Sequence, residues 1–384
     1  MIRVLTFGRY ADDNYGGLER YIFELSRALE GEVQFVNIVA ERGARPDVPL
    51  TGETVYARPL ANPGGTPVCP SMPWHALRRH RRAPFDIVHL QFPADPMAHL
   101  ASELLPGPVK RIIGWHSDIV RQQLLLKLYR PFLGRTLRRA DAIIAATPAH
   151  VSSSEQLAPV RGSGKFRIVP YGFDLSRFEK RPALADEIRH RLGARFLVFA
   201  LGRHVYYKGF EFLIRALSRL PEATLALGGQ GPLTPELQRV AREAGVAERV
   251  HFVGRIPDQD LPAWYHACDA FCLPSVEPAE AFGIVQVEAM ACARPVVCCE
   301  LRNGVTWVNR DGETGLVAPP ADPAALAVAL RRLSGDAALR ARLGEQGRRR
   351  AFGEFTSAAM AKGTLAVYRE VLSERPAGEA GLAA

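Results

Sequence analysis

The sequence predicts an α/β protein made of two doubly wound parallel sheets, and three observations support this. Apolar, β-rich runs alternate with amphipathic helical patterns almost throughout, which is typical of parallel sheets covered by helices on both faces. The alternation starts a second time near the middle of the chain. The chain of 384 residues is also longer than a domain with a single hydrophobic core usually is. We therefore expect two domains that face each other across a cleft, at the carboxyl ends of their strands.

The first series of strands predicts an N-terminal domain over residues 1–172. A helical pattern follows the first strand and places its apolar residues on one face. These residues are Leu18, Tyr21, Ile22, Leu25 and Leu29. The candidate strands of this domain lie at residues 3–7, 33–39, 87–92, 111–116, 142–147 and 166–170.

The second series predicts a C-terminal domain over residues 173–355. Residues 170–182 are rich in proline, glycine and charge and are expected to form the hinge. Beyond residue 322 the pattern is helical, and the helix near 356–373 is expected to return to the first domain, with 374–384 as a frayed tail. The candidate strands of the second domain lie at residues 196–202, 224–229, 250–254, 270–275 and 295–300.

The composition describes an ordinary globular protein. Hydrophobic residues make up 47% and charged residues 23% of the chain. There is no apolar run long enough to cross a bilayer and no signal-peptide pattern at the N-terminus, so a cytoplasmic protein is expected. The six cysteines form no CxxC pair, so neither a disulfide framework nor a metal site is expected.

The net charge of +9 is concentrated in two segments of the N-terminal domain. Residues 76–84 carry four arginines and residues 119–140 carry six lysines and arginines, and neither segment contains an acid. Such segments can meet anionic lipid or phosphorylated ligands, or can simply be solvated helix faces. Nucleic acid is not expected as a partner, because no nucleic-acid motif accompanies the two segments.

Paired glycines follow the first strand. In "GRYADDNYGGLERY", residues 8–21, Gly16 and Gly17 open a helix, where backbone N–H groups can approach a phosphate. The alternative is a turn that only needs glycine at positive φ. The spacing is not GxGxxG, so dinucleotide binding is not implied.

Two cations follow the first strand of the second domain. In "LGRHVYYKGFEF", residues 201–212, Arg203 leaves a strand end and Lys208 precedes a helix. Both can point at one place above the sheet, where they would neutralise charge on a diphosphate leaving group without a metal ion. The alternative is a pair of surface cations.

Two glutamates flank the start of a later helix in "EAFGIVQVE", residues 280–288. Glu280 is expected in a loop and Glu288 one to two turns inside the helix, where its carboxylate would accept hydrogen bonds from a vicinal diol such as that of ribose. Since a buried carboxylate without partners is costly, we expect a ligand diol to supply them. The alternative is a capping arrangement plus a solvated face.

These motifs resemble the retaining glycosyltransferases of family 4. "EAFGIVQVEAMA" resembles the E-x7-E element of that family, and four other segments match its signatures in the same order, from about residue 2 to 373. The segments are "NYGGLER", "VPYGFD", "GRHVYYKGFEFLIRAL" and "DGETGLVAPPADP". The resemblance implies a GT-B fold, with a nucleotide-sugar donor bound mainly by the C-terminal domain and the acceptor mainly by the N-terminal one.

The resemblance also implies roles for individual residues. Arg203 and Lys208 would clamp the diphosphate, with Gly16 and Gly17 closing over it. Glu288 would hold the ribose. The donor sugar would be bound by Glu280, with the backbone of Phe282, Gly283 and Ile284 around it, while the N–H groups of Ile284 and Val285 would face a phosphate. His116 matches the family's cleft histidine, which lies close to the donor sugar, and it is counted with Arg203, Lys208 and Glu280 as catalytic; from the residues alone, a histidine at a strand end can equally be structural.

Residues 253–260 add an expectation about the nucleotide base. Arg255 and the backbone of Ile256 are candidates for contacting the nucleotide base. The "DQD" at 258–260 imitates a metal-binding motif, but it precedes a helical pattern, so Asp258 is interpreted as the helix cap and no metal is assigned.

The resemblance favours mannosyl- and rhamnosyltransferases that build bacterial O-antigens and exopolysaccharides. It therefore suggests a GDP-linked hexose as donor and a lipid-diphosphate-linked or growing glycan as acceptor, at the inner face of the membrane. Three alternatives remain at this point: a UDP-sugar-dependent transferase, a nucleotide-sugar 2-epimerase of the same fold, and a non-catalytic assembly scaffold.

Overall fold

The chain folds into two compact α/β units. The structure is a computed structural model and describes residues 1–8, 17–41, 50–62, 67–93, 95–119 and 123–374. Met1–Phe173 and Ser357–Ala384 form the first unit, and Asp174–Thr356 form the second. The division lies one residue beyond the predicted boundary at 172. Gly16 and residues 375–384 lie outside the described residues.

The first unit is a parallel sheet with helices in its connections. Its described strands are β1 (Ile2–Gly8), β2 (Val33–Ala40), β3 (Glu53–Ala57), β4 (Ile87–Phe92), β5 (Lys110–Trp115), β6 (Ala142–Ala145) and β7 (Phe166–Ile168). Its described helices are α1 (Gly17–Ala28), α2 (Met72–Arg82), α3 (Pro96–Leu104), α4 (Gln123–Arg139), α5 (Pro148–Ser153) and α14 (Ser357–Ser373). The strand order is β3-β2-β1-β4-β5-β6-β7, with every pair parallel.

Helix α14 belongs to the first unit although it ends the described chain. Its residues Met360 and Val367 share one apolar cluster with Tyr21 and Leu25 of α1. The Tyr368 hydroxyl also lies 2.8 Å from Nδ1 of the buried His89 on β4. The apolar face of α1 is therefore covered by the helix that the sequence predicts to return.

The second unit is built on the same plan. Its strands are β8 (Phe196–Leu201), β9 (Ala223–Gly228), β10 (Val250–Gly254), β11 (Ala270–Leu273), β12 (Val296–Cys299) and β13 (Gly315–Ala318). Its helices are α6 (Leu184–Leu192), α7 (Phe210–Ala216), α8 (Thr234–Glu243), α9 (Leu261–Ala267), α10 (Ile284–Ala291), α11 (Gly304–Val308), α12 (Pro323–Gly335) and α13 (Ala337–Glu354).

The strand order of the second unit, β10-β9-β8-β11-β12-β13, creates a switch point between β8 and β11. From β8 the chain proceeds to β9 on one side, and it returns to β11 on the other. Loops that leave the carboxyl ends of two such strands diverge and open a crevice, which is where doubly wound sheets bind ligands. The segments with the candidate residues Arg203, Lys208 and Glu280 follow these two strands.

Two strands were not predicted, and both lie at sheet edges. β3 is short, and after an exposed first residue it alternates between half-buried and buried residues. β13 contains only four residues after a glycine-containing turn. Short edge strands carry less of the continuous apolar signal that marks the central strands.

The two basic segments are partly compensated by acids from elsewhere in the chain. Arg79 of α2 contacts Glu53 at 2.7 Å, and Arg135 and Arg139 of α4 both contact Glu103 of α3. The exposed Arg78, Arg81 and Arg82 extend along α2. In the described part of the chain, no helix is long and apolar enough to cross a membrane. All six cysteines are buried thiols without a disulfide.

Candidate functional site

The loops after β8 and β11 are held together by backbone contacts. The N–H of Val276 donates to the carbonyl of Tyr207 at 2.9 Å. Gly209, at φ +63°, lies so close to the second loop that a Cβ atom there would come within 2.2 Å of the Pro274 carbonyl oxygen. Only glycine fits this approach, which brings the end of the Lys208 loop against the loop that carries Glu280.

Lys208 and Glu280 are in direct contact. Lys208 Nζ lies 2.5 Å from Glu280 Oε2, and each side chain is only 11% exposed. Ser275 Oγ donates to the same carboxylate oxygen at 3.1 Å, and Asn303 Nδ2 donates to the Glu280 carbonyl at 2.7 Å. The family resemblance implies that these two side chains contact different parts of the donor, and the structure shows that they form one ion pair with each other.

Arg203 follows β8 and is not part of this pair. Its side chain is exposed and forms no ion pair with a described residue. The Lys208 side chain runs along the neighbouring Gly202, where a Cβ would be 3.2 Å from Lys208 Cε. A cation that is exposed and one that is paired therefore lie at the carboxyl end of the same strand.

The start of α10 is fixed by one glycine. Gly283 adopts φ +73°, and a Cβ there would come within 2.6 Å of Leu273 Cδ2. Gln286 Nε2 donates to the Phe282 carbonyl at 2.7 Å and fixes the turn from inside the helix. Glu280 lies in the loop before the helix, as predicted. Ile284 and Val285 are the first two residues of α10.

Glu288 lies just over one turn into α10 and is almost completely buried, with its side chain 3% exposed. Tyr265 Oη donates to Glu288 Oε2 at 2.8 Å, and Arg177 Nη2 lies 3.7 Å from Oε1. Burial and the negative charge of Glu288 raise the pKa of Tyr265, so the phenol stays protonated and acts as the donor. Two partners of this carboxylate therefore come from the chain itself, beside the ligand diol that the sequence leads us to expect.

The candidate base-binding segment follows β10. Arg255 is exposed, while Ile256 is half-buried and its Cδ1 would contact a Cβ at Gly228, at the end of β9. The assignment of Asp258 as a helix cap was wrong. α9 begins only at Leu261, its N-cap is Asp260, and Pro262 removes an N–H that a cap would bind.

The remaining candidates lie in the first unit. Gly17 begins α1. His116 follows β5, and both its ring nitrogens are hydrogen-bonded: Nδ1 lies 2.8 Å from Tyr171 Oη and Nε2 lies 2.7 Å from Gln91 Oε1. Burial raises the pKa of Tyr171, so its hydroxyl donates to Nδ1 and His116 Nε2–H donates to Gln91.

Sequence reasoning missed the residues that support the predicted ones. Tyr265 and Gln91 lie inside apolar segments whose pattern predicts only buried core, and no neighbouring sequence motif indicates a role in the site. Arg177 was included only in the predicted hinge. No group of three or more histidine, cysteine, aspartate or glutamate side chains among the described residues could hold a metal ion.

Comparison with known proteins identifies the family. The family model "Glycosyltransferase Family 4" matches residues 15–177, and "Glycosyl transferases group 1" matches residues 185–350. D-rhamnosyltransferase WbpZ of Pseudomonas aeruginosa is 36% identical over 86% of both chains. O-antigen chain mannosyltransferase C of Escherichia coli is 30% identical over 97% of this chain and 100% of its own.

A further relative and a solved structure agree with this result. GDP-mannose-dependent alpha-(1-6)-phosphatidylinositol monomannoside mannosyltransferase of Mycolicibacterium smegmatis is 35% identical over 66% of this chain and 69% of its own. The fold is similar to that of sucrose-phosphate synthase from Thermosynechococcus elongatus, with a TM-score of 0.75 and 24% identity over 97% of this chain and 99% of that one. The chain thus belongs to the family 4 glycosyltransferases and is a sugar-transferring enzyme of the GT-B fold.

Proposed function

We propose that this enzyme transfers a hexose, mannose or a deoxyhexose such as rhamnose, from a GDP-sugar to a lipid-linked or growing glycan of a cell-surface polysaccharide. Relatives named for D-rhamnosyl and O-antigen mannosyl transfer align along 86% and 97% of this chain, which supports the sugar class. A third relative, named as GDP-mannose-dependent, supports the guanine nucleotide.

The contact between Lys208 and Glu280 carries the proposal. It lies at the carboxyl edge of the sheet, beside the switch point between β8 and β11. An ammonium group has three N–H bonds, so Lys208 can contact a phosphate oxygen while one N–H remains on Glu280. In this proposal Glu280 then binds hydroxyls of the donor sugar, and the exposed Arg203 contacts the diphosphate from the side.

The remaining donor contacts extend from the same edge. Glu288 would accept hydrogen bonds from the ribose hydroxyls, and Arg255 and Ile256 would border the base. The N–H groups of Ile284 and Val285, at the start of α10, would face a phosphate, where the helix N-terminus favours negative charge.

We propose transfer with retention at the anomeric carbon. The acceptor hydroxyl would attack on the face from which the diphosphate departs, and its proton would pass to the departing diphosphate. The protein would then position the reactants and stabilise the charge that develops on the leaving group. Since Arg203 and Lys208 supply that charge, we expect transfer to continue in EDTA.

The acceptor side is proposed from the first unit. His116 is oriented by Tyr171 and Gln91, and it would lie near the donor sugar. The exposed arginines of α2 would bind anionic lipid and bring the enzyme to a lipid-linked acceptor.

Thermal shift with GDP, UDP and ADP tests the donor class. A ligand that binds the folded state raises the melting temperature, and GDP is expected to raise it most. Release of GDP from GDP-mannose or GDP-rhamnose only when glycan acceptor is present would support transfer over epimerisation. A larger shift with UDP would contradict the GDP proposal, and no shift with any nucleotide would contradict the enzyme's proposed donor site.

A further inference from the structure

Arg177 lies beside Glu288 because the segment that carries it is anchored on α9 and α10. Phe178 is fully buried, and its carbonyl accepts a hydrogen bond from His266 Nε2 at 2.9 Å. Cys292 Sγ donates to the same carbonyl at 3.6 Å. The backbone next to Arg177 is therefore fixed on the two helices that carry Tyr265 and Glu288.

The Arg177 guanidinium is placed by three contacts. Its Cζ lies 4.7 Å from the centroid of the Phe178 ring, and Nη1 donates to the Asp258 carbonyl at 3.3 Å. Nη2 lies 3.7 Å from Glu288 Oε1. The last separation exceeds hydrogen-bond length, so this pair interacts as charges.

Tyr265 and Arg177 approach different oxygens of the Glu288 carboxylate. The Tyr265 hydroxyl orients Glu288 through Oε2, while Arg177 compensates the charge from the side of Oε1. An ionised carboxylate offers about four acceptor positions, so it can accept further hydrogen bonds beside these contacts. Burying a charged carboxylate to 3% exposure is costly unless a nearby cation compensates it.

We infer that Arg177 is a positioning residue for the nucleotide ribose, which compensates the charge of Glu288 so that this carboxylate can accept hydrogen bonds from the two ribose hydroxyls. The inference rests on the proposed function, in which Glu288 binds the ribose. It assigns a role in donor recognition to a residue near the start of the second unit, in the segment that the sequence predicts as a hinge.

The inference is tested with nucleotides that lack the hydroxyls. Binding of GDP, of UDP and of their 2′,3′-dideoxy analogues is measured by calorimetry for the wild type and for Arg177→Met. For whichever ribonucleotide the wild type binds, the substitution is expected to raise the Kd about ten-fold. This corresponds to an interaction energy within the range measured for residues in contact. The Kd of its dideoxy analogue should change less than about two-fold, because that ligand has no hydroxyls for Glu288 to accept from.

Three further variants separate charge from structure. Arg177→Lys keeps the charge and is expected to lose less affinity than Arg177→Met. Arg177→Gln keeps a donor for the Asp258 carbonyl without the charge, and it replaces Arg177→Met should that variant not fold. Arg239→Met is the matched control, since Arg239 is 52% exposed and forms its ion pair with Glu236 on α8; both nucleotides should bind it as they bind the wild type.

Two results would overturn the inference. Equal loss of affinity for the ribonucleotide and its dideoxy analogue, or no loss for either, contradicts a role for Arg177 in ribose binding and leaves the proposed function intact. A wild-type protein that binds neither GDP nor UDP contradicts the proposed function, and the inference fails with it.

Discussion

Replacing Lys208 with methionine removes the cation from the Lys208–Glu280 pair at nearly constant side-chain length. Because both side chains are only 11% exposed, the substitution leaves a mostly buried carboxylate without its ion-pair partner. Removing one partner of a buried pair costs about 3 kcal/mol at the lower end of measured values. For a unit of this size such a loss lowers Tm by roughly 6–12 °C. The double variant Lys208→Met with Glu280→Gln leaves no charge and is expected to recover most of that loss.

Turnover is expected to respond differently from stability. If Lys208 stabilises the leaving diphosphate, its removal should lower kcat by about 10²–10³, as loss of one transition-state donor does. The Kd of GDP should rise less than about ten-fold, because Lys208 would act mainly on charge that develops in the reaction. The double variant should recover Tm but not kcat.

The assay combines three measurements on the same variants. GDP release from GDP-mannose is followed with a membrane extract that carries lipid-linked glycan, GDP binding by calorimetry, and Tm by scanning calorimetry. Lys180→Met, at an exposed lysine of the same unit, is the control. An equal loss of kcat and donor affinity in Lys208→Met, or recovered turnover in the double variant, would refute the reasoning.

The other predictions concern strain, pH and the membrane. Gly283→Ala should lower the free energy of unfolding of the second unit by about 1–3 kcal/mol or more, measured by urea unfolding. The loss should exceed that of Gly312→Ala, because Gly312 has a similar φ but a Cβ added there would meet no atom within 4 Å. Equal losses would show that the contact with Leu273 is unimportant. Burial lowers the pKa of His89 to about 3. As pH falls from about 6.5 to about 3, this histidine therefore binds a proton in the unfolded chain but not in the folded one, and the free energy of unfolding should decrease over that pH range. His89→Asn should make this decrease shallower, and an unchanged slope would contradict the assignment. Replacing three exposed arginines of α2 by alanine should weaken binding to phosphatidylglycerol vesicles by about 1 kcal/mol for each arginine, measured by co-sedimentation, and should leave binding to phosphatidylcholine vesicles unchanged. Unchanged binding to phosphatidylglycerol would contradict the membrane role. The three are Arg78, Arg81 and Arg82.

The sequence predicts the central strands well because each is a continuous apolar run between helical patterns. β1, β4 and β10 match their predicted segments within a residue at each end. Edge strands β3 and β13 were missed because they are short and part of their surface is not packed. A parallel strand can thus be predicted from the sequence when both of its faces are buried, because its residues then form a continuous apolar run.

The site was predictable where a motif places a side chain at a strand end. Glu280 lies in its predicted loop and Glu288 in its predicted helix. Partners that come from distant segments could not be predicted, because sequence spacing does not reveal tertiary contacts. Tyr265 reaches Glu288 from another helix, and Lys208 meets Glu280 across 72 residues. The cap at Asp258 failed for a local reason, since a turn at Pro257 delays the helix start.

A crystal structure of the protein with GDP bound tests the central claim most directly. The account predicts Lys208 Nζ within hydrogen-bond distance of a β-phosphate oxygen and the Glu288 carboxylate on both ribose hydroxyls. GDP bound elsewhere, or bound here with Lys208 and Glu288 contacting no part of it, would contradict the account.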